Sequence, residues 1–451
     1  MTTLWFQDAR LPGGWAANVR VSIEDGLIAT VEAGADAQPG DERHACGIPG
    51  LANLHSHAFQ RAMAGLTETR GPSADDFWTW REWMYRFLDR LTPDDVRAIA
   101  AQAYVEMLQS GFTRVGEFHY LHHQADGTPY ADVGEMAAAI AGAAEQTGIA
   151  LTLLPVFYAH SGFGGAPPAP GQRRFICDLD RFARLTEACA RLAEGLADGR
   201  MGVAPHSLRA VTPEELLTVA QLAAGPVHIH AAEQVKEVED CLAWSGQRPV
   251  DWLVENAAVD ARWCLIHATH LTPGEREALA RSGAVAGLCP ITEANLGDGV
   301  FPAQAYLAAG GAFGVGTDSN VHIDAAQELR ALEYAQRLAL RSRNVLAPGE
   351  GASTGAGLYA GALAGGARAL ADPAAAIAPG RPADLVSLDA DHVSLVGRRG
   401  EALLDAWVFA AGASAVDCVW RRGGKVVEAG RHVAAAPVAE AYRRTLRRLM
   451  R

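Results

Sequence analysis

Four side chains in this sequence could together hold a divalent cation. They are His55 and His57 in "GLANLHSHAFQRAM", His230 in "GPVHIHAAE" and Asp318 in "GVGTDSN". Residues two apart on a strand share a face, so His55 and His57 meet the same surroundings. Each has an ordinary alternative. His-x-His can be two surface imidazoles, and His230 can pack in a core, as His228 is expected to do one layer deeper. Asp before Ser-Asn is a common turn residue. Three imidazoles and a carboxylate meeting at one point would be a zinc donor set, catalytic if a position stays open. The elements that carry them therefore decide the matter.

Eight short apolar runs, each introduced by Gly or a small polar turn, alternate with Ala/Leu-rich helical stretches. They are "GIPGLANLHSH", "GFTRVGEFHY", "IALTLLPVFYAH", "RMGVAPHS", "GPVHIHAAE", "RWCLIHATH", "GAVAGLCP" and "GAFGVGTDSN". Continuous apolar strands between helices predict a parallel sheet covered on both faces. Eight of them predict an α/β fold with a closed (β/α)8 TIM-type barrel; an open doubly wound sheet is the alternative. In every run the apolar residues come first and the polar residue last. That places the four candidates on the C-terminal rim, where barrel active sites are built. The β-like texture of both chain ends predicts a smaller β-sandwich assembled from them. The expected division is residues 1–48 for the first part of the sandwich, 49–371 for the barrel, and 372–451 for the rest plus a C-terminal helix.

The 451 residues are 49% hydrophobic with a net charge of −13, which argues against a nucleic-acid partner, since phosphate backbones require clustered cations. No apolar run reaches the length of a membrane span. The opening "MTTLWFQDAR" has no basic region followed by an apolar one, so no secretory signal is expected. Seven cysteines without CxxC or regular spacing read as reduced thiols of a cytoplasmic protein.

The segments "LHSHAFQRA", "HIHAAEQ", "LIHATHL", "LCPITEANLGDG", "GVGTDSN" and "GRPADLVSLD" resemble the amidohydrolase superfamily across essentially the whole chain. Within it, "HAFQRAMAGL", "FHYLHH", "GFGGAPPAPGQRRF" and "PHSLRAV" resemble the formimidoylglutamate deiminase branch of histidine degradation. The resemblance implies one catalytic Zn²⁺, with Fe²⁺ or Mn²⁺ as alternatives, held by His55, His57, His230 and Asp318. Two-metal relatives carry a carbamylated lysine at the end of barrel strand 4. Here that run reads "MGVAPHS", so one metal is expected.

The resemblance further implies that Glu233 and Asp318 shuttle protons and that His267 stabilises the attacking water and the tetrahedral centre; His270 is not carried over and reads as structural. It puts Gln60, Arg81, Tyr120, His206 and Arg209 around the two carboxylates of a small dianionic substrate, which suits the bidentate fork of arginine. By sequence alone Arg81, beside the stripe of Phe77, Trp80, Met84 and Phe87, reads as an exposed arginine. His119, His122 and His123 are left out of the site, because adjacent histidines cannot both face one metal. The loop "YAHSGFGGAPPAPGQRRF" is expected to be a lid, and "AEAYRRTLRRLMR" a helix docked on the barrel. A homodimer is expected from the resemblance alone. The competing readings are an aminohydrolase of a purine or triazine ring and a non-catalytic scaffold.

Overall fold

The computed structural model describes residues 2–71, 75–372 and 376–451. Four strands open the chain: β1 (Thr2–Leu11), β2 (Gly14–Glu24), β3 (Leu27–Glu32) and β4 (Glu42–Pro49). Leu4 and Phe6 of β1 are buried while their neighbours are less so, the period-2 pattern of a strand with one covered face.

The next strands form a ring: β5 (Leu51–Ser56), β6 (Phe112–His119), β7 (Ala150–Phe157), β8 (Arg200–Met201), β9 (Ala204–Pro205), β10 (Val227–Ala231), β11 (Trp263–His267), β12 (Val285–Leu288) and β13 (Ala312–Val315). β5 through β8 pair in parallel, β9 continues on β7, and β10 through β13 form a second parallel run. Parallel bridges Val203↔Val227 and Ser207↔His230 join the two runs on one side, and Ser56↔Asp318 joins them on the other. The ring is therefore closed, with β8 and β9 together in the fourth position, and the open-sheet alternative falls away. Leu54, Cys264, Ile266, Val285 and Cys289 fill its interior. His228 lies there too, donating Nε2–H to the carbonyl of Ala369 at 2.8 Å, as its packing role anticipated.

The chain then returns through β14 (Leu385–Leu388), β15 (Val416–Arg421), β16 (Gly424–Glu428) and β17 (Arg431–His432). These join β1–β4 in one eight-stranded sheet of order β17-β16-β15-β14-β4-β1-β2-β3. The sheet curls over its own core, so Phe6 meets Trp420 edge-on at 6.2 Å.

Two helices matter for the site: α1 (Phe77–Leu88) and α2 (Pro93–Gln109). Thr92 and Asp95 form a capping box at the start of α2, with Pro93 in the first helical position. Val96, Ile99, Ala100, Ala103, Tyr104 and Met107 then line one buried face at helical spacing. The C-terminal helix Ala435–Leu449 docks on α2 through buried Val438 and Leu449 and an Arg448–Asp95 ion pair, as the tail was expected to. All seven cysteines are free and buried. Among the described residues no helix is long and apolar enough to cross a membrane.

Candidate active site

The four expected ligands converge at the C-terminal rim of the ring. Nε2 of His55 lies 3.2 Å from Nε2 of His57 and 3.2 Å from Nε2 of His230. Oδ1 of Asp318 lies 3.2 Å from His57 Nε2 and 3.5 Å from His55 Nε2. Donors sharing one ion at bonds of about 2.0–2.1 Å stand roughly 2.9–3.4 Å apart. Nδ1–H of His57 is spent on the carbonyl of Phe118 at 3.0 Å, and that of His230 on the carbonyl of His206 at 3.0 Å. Both Nε2 atoms therefore point lone pairs inward, and His55 adds a third nitrogen. Burial pushes all three imidazoles below their ordinary pKa and keeps them neutral, the form that ligates. Three imidazole nitrogens and a carboxylate oxygen thus face one another at ligand spacing, and the residues present fit one divalent ion.

The local backbone is shaped to this end. Gly316 passes so near His55 that a Cβ there would stand 2.7 Å from the His55 carbonyl oxygen. Asp318 itself sits at φ 44°, a left-handed conformation unusual for a residue with a side chain. Asn320 holds it, donating to the carbonyls of His57 at 3.1 Å and Asp318 at 3.0 Å. Glu117, buried below, accepts the Ala58 N–H at 2.7 Å and the Tyr104 hydroxyl at 3.1 Å, which fixes the turn after His57.

A second group adjoins the first. Nε2 of His267 lies 3.8 Å from Oδ2 of Asp318 and 3.9 Å from Oε1 of Glu233, while its Nδ1 meets Glu293 at 3.2 Å. Burial opposes charge on His267, but Glu233, Glu293 and Asp318 outweigh it and push its pKa up to about 10. Burial, with Glu237 and Asp318 nearby, lifts the Glu233 carboxyl to about 7 despite His267 and Arg209. His267 also adopts a left-handed φ of 67°, so both Asp318 and His267 are held in strained geometry at the rim.

Above these groups lies a pocket of about 570 Å³ that opens to solvent, walled by His57, His230, Glu233, His267 and Asp318 on one side. Gln60, Arg81, Tyr120, His206 and Arg209 line the rest, so all five expected substrate contacts meet in one cavity. Gln60 donates to the Tyr120 hydroxyl at 3.0 Å, and that hydroxyl donates to Met84 Sδ at 3.2 Å. Arg81 and Arg209 each bury an Nε without a hydrogen-bond partner, and neither makes an ion pair among the described residues. Arg81 is thus not the exposed arginine that sequence alone suggested: helix α1 folds over the mouth and turns it inward.

The remaining expectations sort cleanly. His122 donates to the Val156 carbonyl at 2.9 Å and His123 to that of Ile176 at 2.8 Å, so both serve the backbone. The loop after β7 is anchored at its C-terminal end. Buried Arg174 ties it to the carbonyls of His123 at 2.8 Å, Leu91 at 3.0 Å and Leu88, and Phe175 faces the pocket. Helix α1 roofs the pocket through Phe77, Trp80, Arg81, Met84 and Tyr85. Sequence reasoning missed Glu117, Glu293, Asn320 and Trp78. Glu293 had a signal, since it lies in the quoted "LCPITEANLGDG"; Glu117 precedes the histidines of "FHYLHH", which drew attention away from it.

The sequence profile of the amidohydrolase family matches residues 48–427, and that of the formimidoylglutamate deiminase HutF N-terminal domain matches residues 1–45. The chain is 51% identical over 455 residues to formimidoylglutamate deiminase of Pseudomonas aeruginosa, covering 100% of both chains. Among solved structures, an amidohydrolase from Brucella melitensis is similar at TM-score 0.96 with 55% identity, covering 100% of each chain. A zinc-bound adenosine deaminase from Xanthomonas campestris is similar in fold, at TM-score 0.79 and 24% identity over 100% of this chain and 98% of that one.

Proposed function

This chain belongs to the amidohydrolase family, and from that premise we infer that it is a metal-dependent deiminase that hydrolyses N-formimidoyl-L-glutamate to N-formyl-L-glutamate and ammonia in L-histidine degradation. The observation that carries the substrate is the pair of unpartnered arginines, Arg81 and Arg209, in the same pocket as the His/Asp donor set. A dianion needs two cations whose forks are not already occupied. A ring substrate would have no use for them. A scaffold would have no use for four intact metal donors.

His55, His57, His230 and Asp318 would hold the ion, for which we assign zinc. When bound, such an ion supplies Lewis acidity and lowers the pKa of water toward neutrality. Glu233, lifted to about 7, can take a proton from water and return it near neutral pH. The formimidoyl carbon gains an oxygen and loses its terminal nitrogen, and the proton leaves with that nitrogen as ammonia. His267, beside Glu233 and Asp318, is placed to stabilise charge developing on the incoming oxygen. Arg81, Arg209, Gln60, Tyr120 and His206 hold the glutamyl end, so the terminal and not the glutamyl nitrogen faces the acid. On this reading residues 49–371 carry the chemistry, and 1–48 with 372–451 form the supporting unit.

Two measurements test the reading. Purified enzyme is expected to release ammonia from formimidoyl-glutamate far faster than from formimidoyl-aspartate or guanine. Preference for guanine would move the assignment to a ring aminohydrolase. Elemental analysis after dialysis should give about one metal equivalent per chain, because no lysine stands on the 200–207 segment to bridge two ions. Two equivalents that both survive dialysis would overturn the single-ion site.

A further inference from the structure

We propose that Trp78 is a positioning and specificity residue: its indole holds Arg81 and Arg209 side by side as a preformed clamp for two carboxylates. This inference rests on the functional reading above, because it explains how that reading's two arginines stay in the pocket.

The guanidinium carbon of Arg81 lies 4.6 Å from the centroid of the Trp78 ring, and that of Arg209 lies 5.5 Å from the same ring. Both distances fall within the range in which an aromatic face attracts a cation, and tryptophan has the strongest such face. The two arginines come from opposite parts of the site: Arg81 from α1, Arg209 from the segment after β9. Arg209 is 5% exposed. Neither has a carboxylate partner among the described residues, and each buries an unbonded Nε. Two like charges brought together in a desolvated pocket repel, and Glu237 and Glu233 offset part of this for Arg209 without reaching ion-pair distance. The shared indole adds to this without occupying the forks. A carboxylate in its place would neutralise the arginines but would also block the substrate.

The same contact fastens the roof. The C-terminal end of α1 is tied down, since Arg174 donates to the Leu88 carbonyl and Arg173 pairs with Asp89 at 2.6 Å. Toward its N-terminal end, the contact between Trp78 and Arg209 links α1 to the opposite wall. Phe77, Trp80 and Arg81, which line the pocket, are carried by that end. Without the ring, Arg81 keeps only the more distant face of Tyr85 at 5.6 Å, and the clamp loses the spacing of its charges and the link from α1 to Arg209.

The test compares Trp78→Leu, which removes the aromatic face, with Trp78→Phe, which keeps one, both in zinc-loaded enzyme. Substrates are formimidoyl-glutamate and its α-amide and γ-amide. Trp78→Leu is expected to raise KM for the dianion roughly tenfold, with a clearly smaller rise for either amide and kcat within about threefold of wild type. Trp78→Phe should recover most of the loss. Metal content and thermal midpoint report on folding. Unchanged KM in Trp78→Leu, equal losses on all three substrates, or a Trp78→Phe variant as poor as Trp78→Leu would each overturn the inference. A separate arm measures binding of L-glutamate, which carries both carboxylates and no reacting carbon. Wild-type enzyme that binds L-glutamate but leaves formimidoyl-glutamate intact would sink the deiminase reading alone. In that case the binding arm decides for Trp78: weaker L-glutamate binding in Trp78→Leu supports its role, and unchanged binding overturns it.

Discussion

Glu233→Gln is expected to lower kcat by about 10²–10⁴-fold while leaving the metal content at the wild-type value, the range general acid–base groups contribute. The amide keeps the size of the carboxyl and its place after β10 but cannot accept and return a proton. Glu233 lies outside the four-donor set, whose members stand 3.2–3.5 Å apart, so the ion's hold does not depend on it. KM should change little, because the proposed function assigns the substrate's carboxylates to other residues of the pocket. Single-turnover ammonia release beside elemental analysis separates the two effects. A variant with near-wild-type kcat would remove Glu233 from proton transfer. A variant that loses its metal would make Glu233 part of the ion's surroundings instead.

Arg209→Ala should cost roughly ten- to a hundredfold or more in kcat/KM on formimidoyl-glutamate. A hydrogen bond to a charged group is worth roughly 1.5–3 kcal/mol, and each 1.4 kcal/mol or so is a decade. The buried position of Arg209 favours the upper part of that range. The loss should shrink on whichever amide analogue lacks the carboxylate that Arg209 holds, and Arg81→Ala should show the complementary pattern on the other amide. Equal losses on all three substrates would mean the arginines support the fold and do not read carboxylates. Metal content is again the control, since neither arginine contacts a proposed ligand within hydrogen-bond distance.

The outcome for individual residues shows what kind of information the chain carries locally. His55, His57, His230 and Asp318 were legible because each ends an apolar run, and parallel strands of one barrel end at one rim. The eight runs were legible for the same reason: strands covered on both faces are written almost wholly in apolar residues. The segment after β7 was legible as a loop from its Gly and Pro content, but its anchoring was not. What pins it is Arg174 reaching the carbonyls of Leu91 and His123, residues distant in sequence, and composition does not encode such contacts.

Arg81 marks the boundary most sharply. Its neighbours form an amphipathic helix with capping residue Asp76, and that much is local. Whether the arginine faces water or the pocket depends on where the helix lies across the barrel mouth, which is settled by contacts with Arg174, Gly171 and Arg209. The pairings of Glu293 with His267 and of Glu117 with the Ala58 N–H depend in the same way on strands meeting around the ring. By itself the sequence determined the element order, the rim and the donor types, because periodicity and side-chain chemistry are properties of short stretches. Only the tertiary structure decided which buried carboxylates hold the histidines, which helix roofs the pocket and which ring holds its arginines. Those depend on distances between segments far apart in the chain, and no local pattern carries a distance.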